Sequence, residues 1–228
     1  ISFSWEDGVA YYLPIQSTVA PDDVISLSEA RSALADVFAD SSVRKVGLNL
    51  KYDIAVLEKH GFLCRGETFD VLIASHLFSP DERQHGLKHL AASVLRERTI
   101  EYDEVCDGHD SLETVPLERV TNYACQDADF SWRLGEIFSE RLGERVVTDG
   151  GEELPSLRRA FEDVEMPIVP VLARMELRGV QLDTVFLSTL SDELSDSLDD
   201  LRAAIYEDAG GEFNLNSPKQ MSEVLFDR

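Results

Sequence analysis

The feature that most limits what this chain can fold into is a change of hydrophobic period after Asp70. Before it, short β-rich runs dominate. Ile1 to Ser4 and Val9 to Pro14 flank Glu6-Asp7-Gly8, whose Asp-Gly step is a hairpin signal, so the two runs are expected to pair antiparallel. Val43 to Leu50 reads as a buried strand and Thr68 to Asp70 as another brief one. Two helices interleave with these strands. Leu27, Ala30, Leu34, Val37 and Phe38 recur at helical spacing behind Ser26 or Ser28 as N-cap, and Tyr52 to His60 predicts a short helix closed by Gly61. Beyond Asp70 the 3.6-residue period takes over in Leu72 to Phe78, Leu87 to Leu95 and Leu117 to Leu142, broken by Ser79-Pro80 and the polar loop Cys106 to Glu113. Strands interleaved with helices define an α/β chain.

A chain of 228 residues holds one ordinary domain plus part of another, so one boundary is expected. Gly143 to Glu153, with three Gly and four acidic residues, is the best linker, and it divides the chain into 1–150 and 151–228. Leu154 to Arg178 then predicts one helix, kinked at Met166-Pro167 and Val169-Pro170 because proline removes a backbone donor, and stopped by Gly179. A long amphipathic helix follows from about Thr184 to Ala209, and Ser217-Pro218 opens a last one. Nothing in this helical tail closes a domain. The chain is therefore expected to be a piece of a larger protein.

Several function classes fall away on composition. Ile1-Ser2-Phe3-Ser4-Trp5 offers no basic n-region or long apolar run, so neither a signal peptide nor a membrane span is expected. Cys64, Cys106 and Cys125 have no CxxC spacing, which favours plain thiols and a cytoplasmic location over a disulfide framework or zinc site. His60, His76, His89 and His109 likewise fit no metal spacing. The formal charge of −23 argues against a nucleic-acid partner when taken alone. Yet the acids are spread along the chain and only five of the 21 basic residues are Lys. That pattern points to adaptation to high salt, where screening over ~3 Å at 1 M hides the repulsion.

Two clusters carry chemistry. Val46-Gly47-Leu48-Asn49-Leu50-Lys51-Tyr52-Asp53 sets an amide, a base, an aromatic ring and a carboxylate where a buried strand emerges into a helix, the usual place for ligands in α/β sheets. Asn49 and Asp53 could equally be caps of that helix. In Tyr123-Ala124-Cys125-Gln126-Asp127, Tyr123 and Asp127 are spaced i and i+4 and share a helix face, where a phenol and a carboxylate can position a water and a divalent cation. An ordinary surface pair has the same spacing.

Asn49-Leu50-Lys51-Tyr52-Asp53 resembles the second motif of the DEDDy exonucleases, and Tyr123-Ala124-Cys125-Gln126-Asp127 resembles their third, Tyr-x-x-x-Asp. Phe69-Asp70, Thr99 to Tyr102, Glu165 to Leu172, Arg178-Gly179-Val180 and Phe213 to Gln220 resemble bacterial family A DNA polymerases, so the resemblance covers nearly the whole chain. It implies a ribonuclease H-like exonuclease domain, a mixed sheet flanked by helices, followed by the first helical part of a polymerase domain. The implied activity is proofreading: two-metal hydrolysis of 3′-terminal DNA phosphodiesters, releasing a deoxynucleoside monophosphate. Asp127 would bind the magnesium ion that carries the attacking water, Tyr123 would orient that water, and Asp53 would serve the second ion; manganese or zinc could substitute. Hard Mg²⁺ prefers such oxygen ligands. Asn49, Lys51, Tyr52 and Tyr102 are the implied contacts to a single-stranded 3′ end, and a monomer is expected. Arg83, Gln84 and His85 lie near a basic substrate-binding position of the family without a settled register.

One departure matters. The family's first motif, Asp-x-Glu, belongs just upstream of Ile1, and Glu6-Asp7 cannot replace it because those residues form the hairpin turn. The chain as written is therefore expected to be a weak or inactive nuclease and to lack its opening strand. A ribonuclease D-type RNA exonuclease shares both motifs, and a catalytically dead scaffold domain would also fit. The polymerase-like segment from Glu165 to Gln220 speaks against the former, and the intact second and third motifs against the latter.

Overall fold

In the computed structural model, which describes residues 1–147, 151 and 153–226, the Asp-Gly signal closes a hairpin between β1 (Ser2–Glu6) and β2 (Val9–Tyr12). The register runs Ser2 to Tyr12, Phe3 to Tyr11 and Ser4 to Ala10, then slips at Trp5 so that Glu6 faces Val9. Such an extra residue sharpens local twist. The bulge leaves Trp5 and Tyr11 stacked at 4.9 Å on an exposed face.

Helix α1 (Leu27–Ala39) begins at Ser26, whose side chain accepts from the Glu29 backbone while Glu29 returns a bond to Ser26, a complete capping box. Phe38 at its far end meets Phe3 of the hairpin and Phe62. β3 (Lys45–Gly47) is shorter than the Val43 to Leu50 run suggests, because the chain turns into α2 (Leu50–Lys59) as soon as Asn49 adopts a left-handed conformation. β3 pairs parallel with β4 (Thr68–Asp70), as a crossover through a helix requires. The antiparallel and parallel pairings expected of one mixed sheet stand instead in separate two-stranded ladders, so among the described residues no single sheet combines them.

α3 (Val71–Phe78), α4 (Leu87–Leu90) with a π-helical turn over Ala91–Leu95, and α5 (Tyr102–Val105) lead to α6 (Leu117–Leu142), the central helix. The periodicity of Leu87 to Leu95 continues through the π turn, which ends at Arg96 in a left-handed conformation. α6 packs against β1, β2, β3 and α3. Its Gly135 is where β3 crosses, since a Cβ there would overlap the Val46 side chain. Leu134, Phe138 and Leu142 then join Leu50, Ile54, Phe69, Val71 and Leu90 in the main core.

Of the expected linker Gly143 to Glu153, residues 148–150 and 152 lie outside the described residues; its flanks pair as β5 (Val146–Val147) and β6 (Glu153–Leu154). The helix expected over Leu154 to Arg178 is divided into α7 (Arg158–Ala160), a π-helical turn over Phe161–Glu165, and α8 (Met166–Arg178). Pro167 and Pro170 cannot donate to the carbonyls one turn back, and a wider turn stands just ahead of them. Phe161, Met166, Val169 and Ala173 belong to the same core as α2 and α6. By contacts, residues Ile1–Gly179 form one unit and Val180–Arg228 a second. The second consists of α9 (Thr184–Ala209), capped by Asp183, and α10 (Pro218–Phe226). Tyr206, near the end of α9, meets Phe213 beyond that helix edge-on at 5.8 Å. Among the described residues no helix is long and apolar enough to cross a membrane.

Candidate active site

The first half of the site is built at the end of β3. Asn49 sits at φ 62°, ψ 45°, a region that Asn tolerates better than most residues, and its side chain makes no cap bond to α2. The cap is supplied from elsewhere. Asp70, at the end of β4 and only 2% exposed, accepts from the backbone N–H groups of Asn49 at 3.0 Å, Leu50 at 2.8 Å and Leu72 at 2.9 Å. One carboxylate therefore opens both α2 and α3. Burial nonetheless holds the Asp70 carboxyl above the usual range, with these bonds pulling the other way.

Asp53 lies one turn into α2, with Oδ2 3.7 Å from where a Cβ on Gly47 would stand. Burial, then the neighbouring Asp70 charge, pushes its carboxyl up to about 6. Lys51 is paired with Glu176 of α8, an ion pair between segments far apart in sequence that the sequence reading did not anticipate. Tyr52 is 64% exposed, so its ring is open to a stacking partner.

The second half stands on α6. Tyr123 and Asp127 are side by side as i,i+4 spacing requires, and the phenol hydrogen-bonds the carboxylate. Burial pushes Asp127 up to about 6, opposed by the Tyr123 bond. Burial and the Asp127 charge push Tyr123 up to about 12, which keeps its hydroxyl a proton donor at any physiological pH. Tyr102, at the first position of α5 and 49% exposed, is close enough to add its charge to the forces on Tyr123. Behind them Tyr123 packs with Tyr12, Ile100 and Cys106 on the small core of Val105, Val115 and Val120.

Tyr123, Asp127 and Tyr102 thus form one group, and Asn49, Asp53, Tyr52 and Lys51 another. They are linked through β3 and α6 at the Val46–Gly135 contact. Neither Asp53 nor Asp127 is among the groups that perturb the other, and among the described residues no three Asp, Glu, His or Cys side chains gather tightly enough to hold a metal ion. Asp53 and Asp127 supply hard oxygen donors that suit a divalent cation, but they are two where a closed site needs more. Asp7 of the hairpin turn is paired with Arg133 at 2.9 Å. His85 bonds Ser75 at 2.8 Å and the Glu82 carbonyl at 3.1 Å, while Arg83 and Gln84 are exposed.

Two residues that organise the site were not singled out from sequence. Asp70 was visible only as half of Phe69-Asp70. Gln126, inside the Tyr-x-x-x-Asp stretch, accepts from Ile100 N–H at 2.6 Å and donates to the Arg98 carbonyl at 3.3 Å. A buried acidic residue closing a strand was the available signal for Asp70; Gln126 carried none.

Comparison with known proteins sets this geometry in context. The family model for the 3′-5′ exonuclease of DNA polymerase A matches residues 1–143. The DNA polymerase I of Pseudomonas aeruginosa is 32% identical over 234 residues, covering 100% of this chain and 25% of that protein. Among solved structures, the POL domain of Pol1 from M. smegmatis in complex with DNA primer-template and dNTP is similar at a TM-score of 0.63 and 25% identity, over 89% of this chain and 31% of that one. Brucella melitensis NrnC shares the fold at a TM-score of 0.50 and 22% identity, over 64% of each chain. The chain spans about a quarter of the length of the curated relatives it matches.

Proposed function

The chain belongs to the 3′-5′ exonuclease family of DNA polymerase A, and from that premise we propose that it removes nucleotides from single-stranded 3′ ends of DNA as the proofreading region of a longer DNA polymerase I. The observation that carries the reading is the Tyr123–Asp127 pair on α6, a phenol kept protonated beside a half-buried carboxylate within the family-matched residues. Relatives that align over 100% of the chain are DNA polymerase I proteins, which favours a polymerase parent over a stand-alone RNA nuclease.

Each residue then has a task. Tyr123 donates to the attacking water and fixes its line of approach, while Asp127, ionised above about pH 6, accepts from it. Asp53 and Asp127 are the residues that would hold magnesium, with manganese or zinc as substitutes. A divalent cation bound there supplies an acidified water and neutralises charge on the scissile phosphate. Tyr52 and Tyr102 offer exposed rings for stacking, which grips a single strand without regard to sequence. The Asn49 amide, free of any capping bond, is placed for the sugar-phosphate chain. Lys51 can reach a phosphate only by parting from Glu176. Two carboxylates are fewer than such a metal site needs, so further acidic ligands would complete it, and the product would be a deoxynucleoside monophosphate.

The test uses the full-length protein. Asp127→Ala is expected to slow degradation of a single-stranded 3′ end by roughly 10³-fold or more while nucleotide incorporation is retained. Nuclease activity close to that of the wild type would overturn the assignment.

A further inference from the structure

The chain from Arg98 to Val105 runs as a strap across one face of α6, and three side chains of that helix meet it in succession. Arg119, Tyr123 and Gln126 are spaced i, i+4 and i+7, so they form one stripe. The outer two hold backbone. Arg119 donates to the Glu104 carbonyl at 2.6 Å, and Gln126 brackets the other end, accepting from Ile100 N–H at 2.6 Å and donating to the Arg98 carbonyl at 3.3 Å. Between the brackets, Tyr123 shares with Ile100 and Cys106 the small core of Val105, Val115 and Val120, and it lies within electrostatic reach of Tyr102. The strap is also closed on itself by the Arg98–Glu104 ion pair at 2.9 Å, and Thr99 is buried beneath it. Tyr102 is left as its outward ring, half exposed, between the two brackets.

We propose that Gln126, seconded by Arg119, is a positioning residue that fixes Tyr102 as a rigid wall beside Tyr123 and Asp127, against which the terminal base of a single strand stacks. The inference rests on the nuclease reading above and adds to it a residue that touches neither water nor phosphate. The amide is chemically suited to the task. It offers an acceptor and a donor on one planar group, and the strap presents an N–H and a carbonyl two residues apart, so both ends of the amide are used. A carboxylate would keep the Ile100 bond and lose the Arg98 bond. A thioether of the same length would lose both. A stacking ring fixed in advance costs less ordering when a flexible strand arrives.

The experiment measures binding and chemistry separately in the full-length protein, using a fluorescein-labelled oligothymidylate with calcium for binding and magnesium for turnover. Gln126→Met is expected to raise the dissociation constant about tenfold, as loss of two hydrogen bonds would, with single-turnover rate at saturation changed less than about twofold. Gln126→Glu should fall between it and the wild type. In a double-mutant cycle Gln126→Met should add little to Tyr102→Ala, since both remove the same wall. Additive effects, or a lowered rate with unchanged binding, would overturn the proposal, and Gln126→Glu decides the matter if the Met variant does not fold. A wild-type protein that neither binds nor degrades the oligonucleotide would instead refute the nuclease reading itself.

Discussion

The two halves of the site are made in opposite ways. The Tyr123–Asp127 half is a product of helix periodicity: two residues one turn apart on α6 need only the helix to be neighbours. The Asn49–Asp53 half needs a left-handed residue, a carboxylate buried at 2% exposure and a strand crossover before its side chains are in place. It also sets two acidic groups near each other, with Asp53 pushed up to about 6 partly by Asp70. Conformational strain and buried charge of this kind persist where the surrounding structure holds them, and they collect at functional sites. The lesson is that one half should be stable without function and the other should be stable in spite of it.

The sharpest way to break the comparison is Asp70→Ala. It leaves three N–H groups, one buried and two part-buried, without their acceptor and is expected to destabilise the fold by about 3 kcal/mol in urea unfolding. A loss no larger than that of an exposed carboxylate would mean that Asp70 does not organise the turn. Next in size is Asp53→Asn. The folded carboxyl holds its proton up to about pH 6, against an ordinary 3.8, so its contribution to stability is full below the ordinary value and is lost as pH rises through 6. Without divalent metal, the variant should therefore be more stable than the wild type near pH 7.5, by no more than about 1 kcal/mol because Asp53 is exposed and solvent screens its charge, and the gain should vanish near pH 4. Destabilisation near pH 7.5 would show that the carboxylate is not a burden there. The smallest expected effect is at the turn itself, where Asn49→Ala should cost about 1 kcal/mol for a left-handed Cβ and Asn49→Gly close to nothing. Equal losses for both, measured by thermal unfolding, would place the cost in the amide instead of the backbone.

The same contrast explains what could be read in the sequence. α6 was legible from Leu117 to Leu142, and the opening of α1 at one of two serines, because each rests on near neighbours; β4 was legible from Thr68 to Asp70 by its local β-rich run, though its partner strand is distant. The Tyr123–Asp127 pair was legible for that reason as well. The Asp70 cap, the Gln126 bracket and the Lys51–Glu176 pair join residues separated by 21, 26 and 125 positions, and no local period reports such partners. The early end of β3 was hidden because Leu48 and Leu50 prolong the apolar run, while the turn is decided by Asn49 and its distant acceptor. The proline pair in α8 announced an irregularity, but its form as a π-helical turn ahead of the prolines depends on how Phe161 and Met166 reach the core.

The hairpin tip offers a last point. Gly8 N–H donates to Asp129 Oδ1 at 2.7 Å, and Asp7 pairs with Arg133 at 2.9 Å, so the loop is bolted to α6 within the roughly two turns that follow Asp127. Loop and carboxylate are therefore expected to move as a single stiff piece, with the freedom of the Asp127 oxygen atoms set by the lever between two anchor points. Loosening either bolt should blur the aim of Asp127 without touching its chemistry.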